Sequence, residues 1–367
     1  MAEQKKIRYA VVGLGWIAQE VVLPAFKNTD NSELVALVTG DPEKARELGK
    51  AYDVKQTLSY DEFDRYLQRH EVDAVYIATP NTEHLDFAIR ATGAGMHVLC
   101  EKPMAATSAD CETMIRAAAE NNVRLMIAYR LHFEPANLKA IELIEAGRIG
   151  EPRIFSSVFS QQVEAGNVRL RKDLAGGPLM DMGVYPINAA RYLFRDEPIE
   201  VMCMGCNNGE PRFREVHEAV SAILRFPGDK LASFTVSFGA APTDSWYVAG
   251  TKGSMHLEPG FGYEKPLEIT AVVDGKEYHR EISKHDQFGA EIRYFSDCIL
   301  ENREPEPDGY EGLADVRIVE ALIESMRRGA PVQMSQTPIQ SRPEPDQTIE
   351  LKAVKPKEIV HAESPTG

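Results

Sequence analysis

A chain of 367 residues, 43% hydrophobic and 26% charged, has enough material for two domains of ordinary size and is neither disordered nor fibrous in composition. Its 41 basic against 56 acidic residues leave a formal charge of -15, which disfavours nucleic acid or an anionic membrane as the main partner and favours a small molecule. No apolar run reaches the length of a membrane span, and the opening MAEQKKIRYAVVG has neither an apolar leader core nor twin arginines, so a cytoplasmic location is expected.

From Ile7 to Tyr129 apolar runs alternate with helical patterns. The runs are IRYAVVG, ELVALVT, DAVYIAT, MHVLCEK and VRLMIAY, and segments such as TEHLDFAIRATGAG show i, i+3, i+4 spacing between them. This alternation predicts a parallel, doubly wound α/β sheet over residues 1–129. Directly after the first run, Gly13, Gly15 and Ala18 form G-x-G-x-x-A. The first glycine permits a tight turn, the second lets a pyrophosphate approach the backbone, and the small third residue lets helix and strand pack closely. The phosphates would rest on the N-terminus of a helix starting near Trp16.

The second run ends ELVALVTGDPEKA. Thr39, Gly40 and Lys44 offer a hydroxyl, backbone N–H groups and an ammonium to a 2'-phosphate, which favours NADP. Asp41 keeps NAD open, since a carboxylate here can accept from a ribose hydroxyl; placed before Pro42, it also reads as a helix N-cap. The run MHVLCEKPMA sets Glu101, Lys102 and Pro103 at a strand's C-terminal end, beside the nicotinamide by topology. Taken alone, Lys102 reads equally well as a solvated surface charge.

After Arg130 a helix, PANLKAIELIEAG, leads into the long strand runs PRIFSSVFS, PIEVMCMG, AVSAILRF and KLASFTVSF, with turn signals at Pro227-Gly228 and Asp274-Gly275. These predict a second, α+β domain over 130–331 with a large, mostly antiparallel sheet. Within it, LMDMGVYPINAARYLF is helical and places Asp181 and Tyr185, four apart, on one face. Asp181 also fits a capping group and Tyr185 a core aromatic. Cys203 and Cys206 form a lone C-x-x-C in a strand pattern, and no metal site is expected. Phe288, Ile292, Phe295 and Ile299 form the apolar stripe of a helix opened by His285, Asp286 and Gln287, where His285 reads as a capping, surface or substrate-facing residue. GLADVRIVEALIESMRRG is a further helix, and the Pro-, Glu-, Gln- and Lys-rich tail over 332–367 reads as an extended or disordered arm.

Together the G-x-G-x-x-A turn, the E-K-P and the segment RLRKDLAGGPLMDMGVYPIN resemble the Gfo/Idh/MocA family of oxidoreductases from Ile7 to about Pro331. The likeness is to its glucose-fructose oxidoreductase and sugar-dehydrogenase branch, carried also by TGDPEKA, SYDEFD, DAVYIATPNTEH and AYRLHFEPAN. The resemblance implies a Rossmann domain plus an open-sheet domain that packs in homodimers or homotetramers, with the active site between the domains. It implies that Lys102 and Tyr185 are catalytic and that Asp181 places the substrate. By the same resemblance Gly13, Leu14, Gly15, Trp16, Ile17, Thr39, Lys44, Tyr60, Thr79, Pro80, Asn81, His84, Glu101, Lys102 and Arg130 contact NADP, with Tyr263 a weaker match. Tyr185 stands where many members carry histidine, and Pro178 where the family has a third glycine.

The chemistry implied is transfer of the C1 hydride of a cyclic aldose to the nicotinamide, giving a lactone, or the reverse, with Tyr185 as proton acceptor. A phenol is a poor base at neutral pH unless a cation such as Lys102 favours the phenolate. The alternatives are a closed-cycle sugar–sugar oxidoreductase with retained NADP, a dihydrodiol or polyol dehydrogenase, and a non-catalytic NADP-sensing regulator.

Overall fold

A computed structural model describes residues 5–335 and 341–366. The chain divides into two compact units. The first is built of Met1–Arg130, Asp286–Leu313 and Glu350–Ser364, and the second of Leu131–His285, Ala314–Ile349 and the residues from Pro365.

In the first unit six strands, β1 (Ile7–Val12), β2 (Ser32–Val38), β3 (Gln56–Leu58), β4 (Ala74–Ile77), β5 (His97–Cys100) and β6 (Leu125–Ile127), form one parallel sheet in the order β3-β2-β1-β4-β5-β6. β1, β4 and β5 read as apolar runs because helices cover both faces of such a sheet. β3 is additional to the five runs legible in the sequence; its three half-buried residues are too few to display a period. The strand order reverses between β1 and β4, and ligands bind beyond the C-terminal strand ends at such a switch point.

The helix Gln287–Leu300 follows the second sheet in sequence, and the sequence reading places it within 130–331. It belongs instead to the first unit. Its buried Phe288, Ile292 and Phe295 face that unit's core, and Ser296 Oγ lies 2.8 Å from Tyr9 Oη on β1 and 2.7 Å from Ser32 Oγ on β2. Asp286 caps it by accepting from Gly289 N–H at 2.9 Å, and His285 precedes the cap. The tail is extended over 350–364; its residues 336–340 lie outside the described part.

Among the described residues the second unit holds nine strands: β7 (Pro152–Ser160), β8 (Glu200–Cys206), β9 (Ala219–Phe226), β10 (Lys230–Ser237), β11 (Thr243–Gly250), β12 (Gly253–Glu258), β13 (Leu267–Val273), β14 (Lys276–Ile282) and β15 (Val332–Gln333). Their order is β14-β13-β12-β11-β7-β10-β9-β8-β15, and every pair is antiparallel except β7 with β10. Asp274 and Gly275, both at positive φ (51° and 73°), make the tight turn between β13 and β14 that such a hairpin requires. Phe155, Phe226 and Trp246 are fully buried under the sheet, each contributing about 1.5–3 kcal/mol. Cys203 points inward and Cys206 outward, as residues three apart on a strand must, so the pair cannot hold one metal ion. Burial pushes the Cys203 thiol up to about 12. Among the described residues no helix is long and apolar enough to cross a membrane, and no cluster of His, Cys, Asp or Glu suits a metal ion.

Candidate active site

The turn after β1 has the shape its glycines predict. Gly13 sits at φ +86° with its N–H donating to Val38 O, and a Cβ there would lie 2.6 Å from Ala78 O, so only glycine passes this point. A Cβ on Gly15 would meet nothing within 4 Å and would project into open space. Helical backbone starts at Trp16 and contains a π turn over Ala18–Val22, with Ala18 and Gln19 buried. Beside Gly13, at the end of β4, the Thr79 hydroxyl is buried with no partner among the described residues, which costs about 1–3 kcal/mol unless a ligand satisfies it. An open Gly15 and an orphaned Thr79 hydroxyl at one strand-end cradle fit a dinucleotide. Gly15→Val should therefore fold with a melting temperature close to the parent, while NADPH binding measured by fluorescence titration weakens at least about tenfold, or ~1.4 kcal/mol; undiminished binding would show that the cradle is not used.

At the end of β2, Thr39 is buried and its N–H donates to Leu58 O on β3. Gly40 lies under Tyr60: a Cβ on Gly40 would be 3.2 Å from the Tyr60 ring. Asp41 is the N-cap of the helix Pro42–Tyr52, one oxygen accepting from the N–H groups of Glu43 and Lys44 at 3.0 Å each. The Lys44 N–H bond first, and then a bond from the His361 ring, lower its carboxyl from the ordinary aspartate value. The capping side of the sequence alternative is thus the one observed. Lys44 is half-buried in the first turn of this helix, and desolvation lowers its ammonium from the ordinary lysine value.

At the end of β5, Glu101 is buried and Lys102 half-buried, and the Lys102–Pro103 peptide is cis. His84, expected to contact the cofactor, is wholly buried. One ring nitrogen lies 3.0 Å from Thr79 O and the other 3.1 Å from Pro103 O, so the ring ties the β4 end to the Lys102 loop. Pro80 and Asn81 are half-buried just after Thr79. Arg130, following β6, donates to Gln287 Oε1 and lies over the Phe288 ring.

Behind Lys102 is an arrangement that the sequence did not disclose. The Tyr76 hydroxyl on β4 is 2.9 Å from Glu101 Oε1 and 2.9 Å from Glu291 Oε1. One hydroxyl donates one proton, so one of these buried carboxyls must itself be protonated and donate to the phenol oxygen. Glu291 is that group: it has no exposure, and its second oxygen has no partner among the described residues. Burial, and then the charge of Glu101, raise it well above the carboxylate range. Such a group favours the folded state most below the unfolded carboxyl pKa of about 4.3, and that contribution is lost as pH rises toward the raised folded value. Thermal melts between about pH 5 and 8 should accordingly show Glu291→Gln losing less stability with rising pH than the parent, by ~1.4 kcal/mol per unit over which the parent's Glu291 is ionised in the unfolded chain and still protonated in the folded one; parallel curves would mean that Glu291 is ionised in the fold.

In the second unit, Gly177 at φ +116° and Pro178 open the helical segment, proline supplying a first-turn φ of −63°. A π turn, Leu179–Gly183, runs into the helix Val184–Phe194. Asp181 makes no cap; its Oδ2 accepts from Arg169 Nε at 2.9 Å, a partner that the sequence reading missed. Tyr185 is half-buried against Phe159 and Phe261, ring centroids 5.6 and 5.7 Å away. One turn on, Asn188 Oδ1 accepts from His132 Nε2 at 2.7 Å and the Asn188 amide donates to Asp315 at 3.1 Å, while fully buried Arg191 donates to Asp315 at 2.6 Å and to Glu197 at 2.8 Å. These bonds fix the helix and hence the phenol's direction. Tyr263 also lies in this unit, half-buried two residues after Phe261.

The family model for an oxidoreductase family with an NAD-binding Rossmann fold, GFO/IDH/MocA, matches residues 7–129, and that family's C-terminal domain model matches 137–256. The D-xylose 1-dehydrogenase [NADP(+)] of Haloarcula marismortui is 33% identical over 341 residues, 91% of this chain and 94% of its own. The chain belongs to the Gfo/Idh/MocA family. Like other members of that family it is an oxidoreductase built on an NAD(P)-binding Rossmann fold. The crystal structure of an aldose-aldose oxidoreductase from Caulobacter crescentus, complexed with glycerol, superposes with a TM-score of 0.86 at 37% identity, covering 90% of this chain and 100% of that one. The trans-1,2-dihydrobenzene-1,2-diol dehydrogenase of Mus musculus is 27% identical over 277 residues, 74% of this chain and 80% of its own.

Proposed function

We propose that this protein is an NADP-dependent sugar oxidoreductase that moves a hydride between C1 of a cyclic aldose and the nicotinamide. The observation that carries the reading is the likeness over nine-tenths of the chain to an NADP-dependent xylose dehydrogenase, with Lys102 inside the first matched span and Asp181 and Tyr185 inside the second. The capping geometry of Asp41 supports NADP over NAD, because its carboxylate is engaged by its own helix while Thr39, Gly40 and Lys44 remain as phosphate donors.

When bound, the cofactor supplies the hydride acceptor. Gly13 to Ile17 and Thr79 bind and orient it, with Pro80, Asn81, Glu101 and Arg130 completing the strand-end surface. Tyr185 takes the proton of the C1 hydroxyl as the C1–H pair leaves and the C1–O double bond of the lactone forms; in reduction it returns that proton. Lys102 stabilises the negative charge that develops on the C1 oxygen, and Asp181, held by Arg169, accepts from a neighbouring sugar hydroxyl. A panel of aldoses and polyols offered with NADP and NAD in parallel, followed by nicotinamide absorbance, tests the reading; turnover with polyols or diols alone would favour the dihydrodiol-type chemistry named for the mouse relative.

The Caulobacter relative favours a second reading, in which NADP stays bound and a second sugar is the oxidant. Protein purified without added cofactor and then denatured should release NADP(H) in that case. The assembly we propose is a homodimer or homotetramer through the open face of the nine-stranded sheet, where Ile154 beside Leu231 and Met202 beside Ile223 are exposed in register.

A further inference from the structure

Residues 350–364 belong to the first unit although they follow the second sheet in sequence, and their attachment converges on the cofactor cradle. Gln19, fully buried in the helix after the glycine turn, accepts from Val360 N–H at 2.8 Å and donates to Val360 O at 2.9 Å. A side-chain amide set against a backbone residue in this way reproduces a peptide pairing. The same Gln19 amide donates to Leu14 O at 2.8 Å, so arm and turn share one anchor. The next arm residue, His361, has Nδ1 2.8 Å from Asp41 Oδ2 and Nε2 3.5 Å from Glu43 Oε2. Its φ of +46° is uncommon for a residue with a side chain and is held by these contacts. Asp41 Oδ1 already accepts two backbone N–H groups, so the arm engages the oxygen that the cap leaves over.

A carboxylate at the end of β2 accepts from a ribose 2'-hydroxyl and repels a 2'-phosphate. We propose that His361 sets the nucleotide specificity of the cradle: by bonding Asp41 it withdraws that carboxylate from the ribose and leaves the position to a 2'-phosphate held by Thr39, Gly40 and Lys44. His361 is a positioning residue, acting through Asp41, and the inference rests on the NADP reading above.

The test is fluorescence titration of the full chain with NADPH and with NADH, which measures binding without turnover, for the parent, His361→Ala, Asp41→Asn and the double variant. The NADPH-over-NADH preference should fall roughly tenfold in His361→Ala, the scale of one bare carboxylate acting on a nearby phosphate. With Asp41 already neutral, in Asp41→Asn, removal of His361 should leave the preference unchanged. An unaltered preference in His361→Ala, or an equal fall in both backgrounds, overturns the proposal while the cofactor reading stands. A parent protein that binds NADH more tightly than NADPH overturns the cofactor reading itself, and this inference with it.

Discussion

Tyr185→Phe should lower kcat by on the order of 10²- to 10⁴-fold while leaving the NADPH dissociation constant nearly unchanged. The substitution is clean because phenylalanine keeps the ring that packs against Phe159 and Phe261, contacts worth about 0.5–1.5 kcal/mol each. The helix that carries it is also held independently, by Asn188 and Arg191. What is lost is one hydroxyl, and with it the proton acceptor for the sugar C1 oxygen. Rapid-mixing measurement of a single turnover should place the defect in the hydride-transfer step, because proton and hydride leave the same C1–OH group. A variant with parental turnover would remove Tyr185 from the reaction and return it to the role of a core aromatic.

Lys102→Met, of similar length and without charge, should reduce hydride transfer by on the order of 10²- to 10³-fold, the usual consequence of deleting one preorganised stabiliser of a developing oxyanion. The loop should persist, since His84 ties it to β4 through its two carbonyl contacts. The melting temperature therefore separates a chemical defect from a structural one. A Lys102→Met protein with full activity would make Lys102 the solvated surface charge that its position alone equally allows. Lys102→Arg should restore only part of the rate, because a planar fork does not reproduce a compact point charge.

What could be read in advance follows the range of the interactions. The parallel sheet was legible because β1, β4 and β5 are continuous apolar runs, and the glycine turn because Gly13 and Gly15 have requirements that a five-residue window expresses. The cap at Asp41 was legible for the same local reason, with Pro42 beside it. β3 was not, since three residues carry no period, nor was the place of the helix Gln287–Leu300, whose partners Tyr9 and Ser32 lie more than two hundred residues earlier. Arg169 on Asp181, Glu291 on Tyr76 and His361 on Asp41 share that obstacle: each is a pairing of polar side chains remote in sequence or separated by irregular backbone, and a pattern of hydrophobicity does not encode it. His84 shows the converse, a polar residue inside a well-marked motif whose bonds all turn inward to the backbone.

Hydride transfer at C1 of an aldose is tested with an aldose carrying deuterium only at C1, incubated with the protein and NADP. Transfer from C1 gives a lactone without deuterium, the label residing at C4 of NADPH or, where the cofactor stays bound, in the reduced second sugar. A C1-labelled sugar that emerges with its deuterium in place while the nicotinamide is reduced, from oxidation at another carbon, would contradict it.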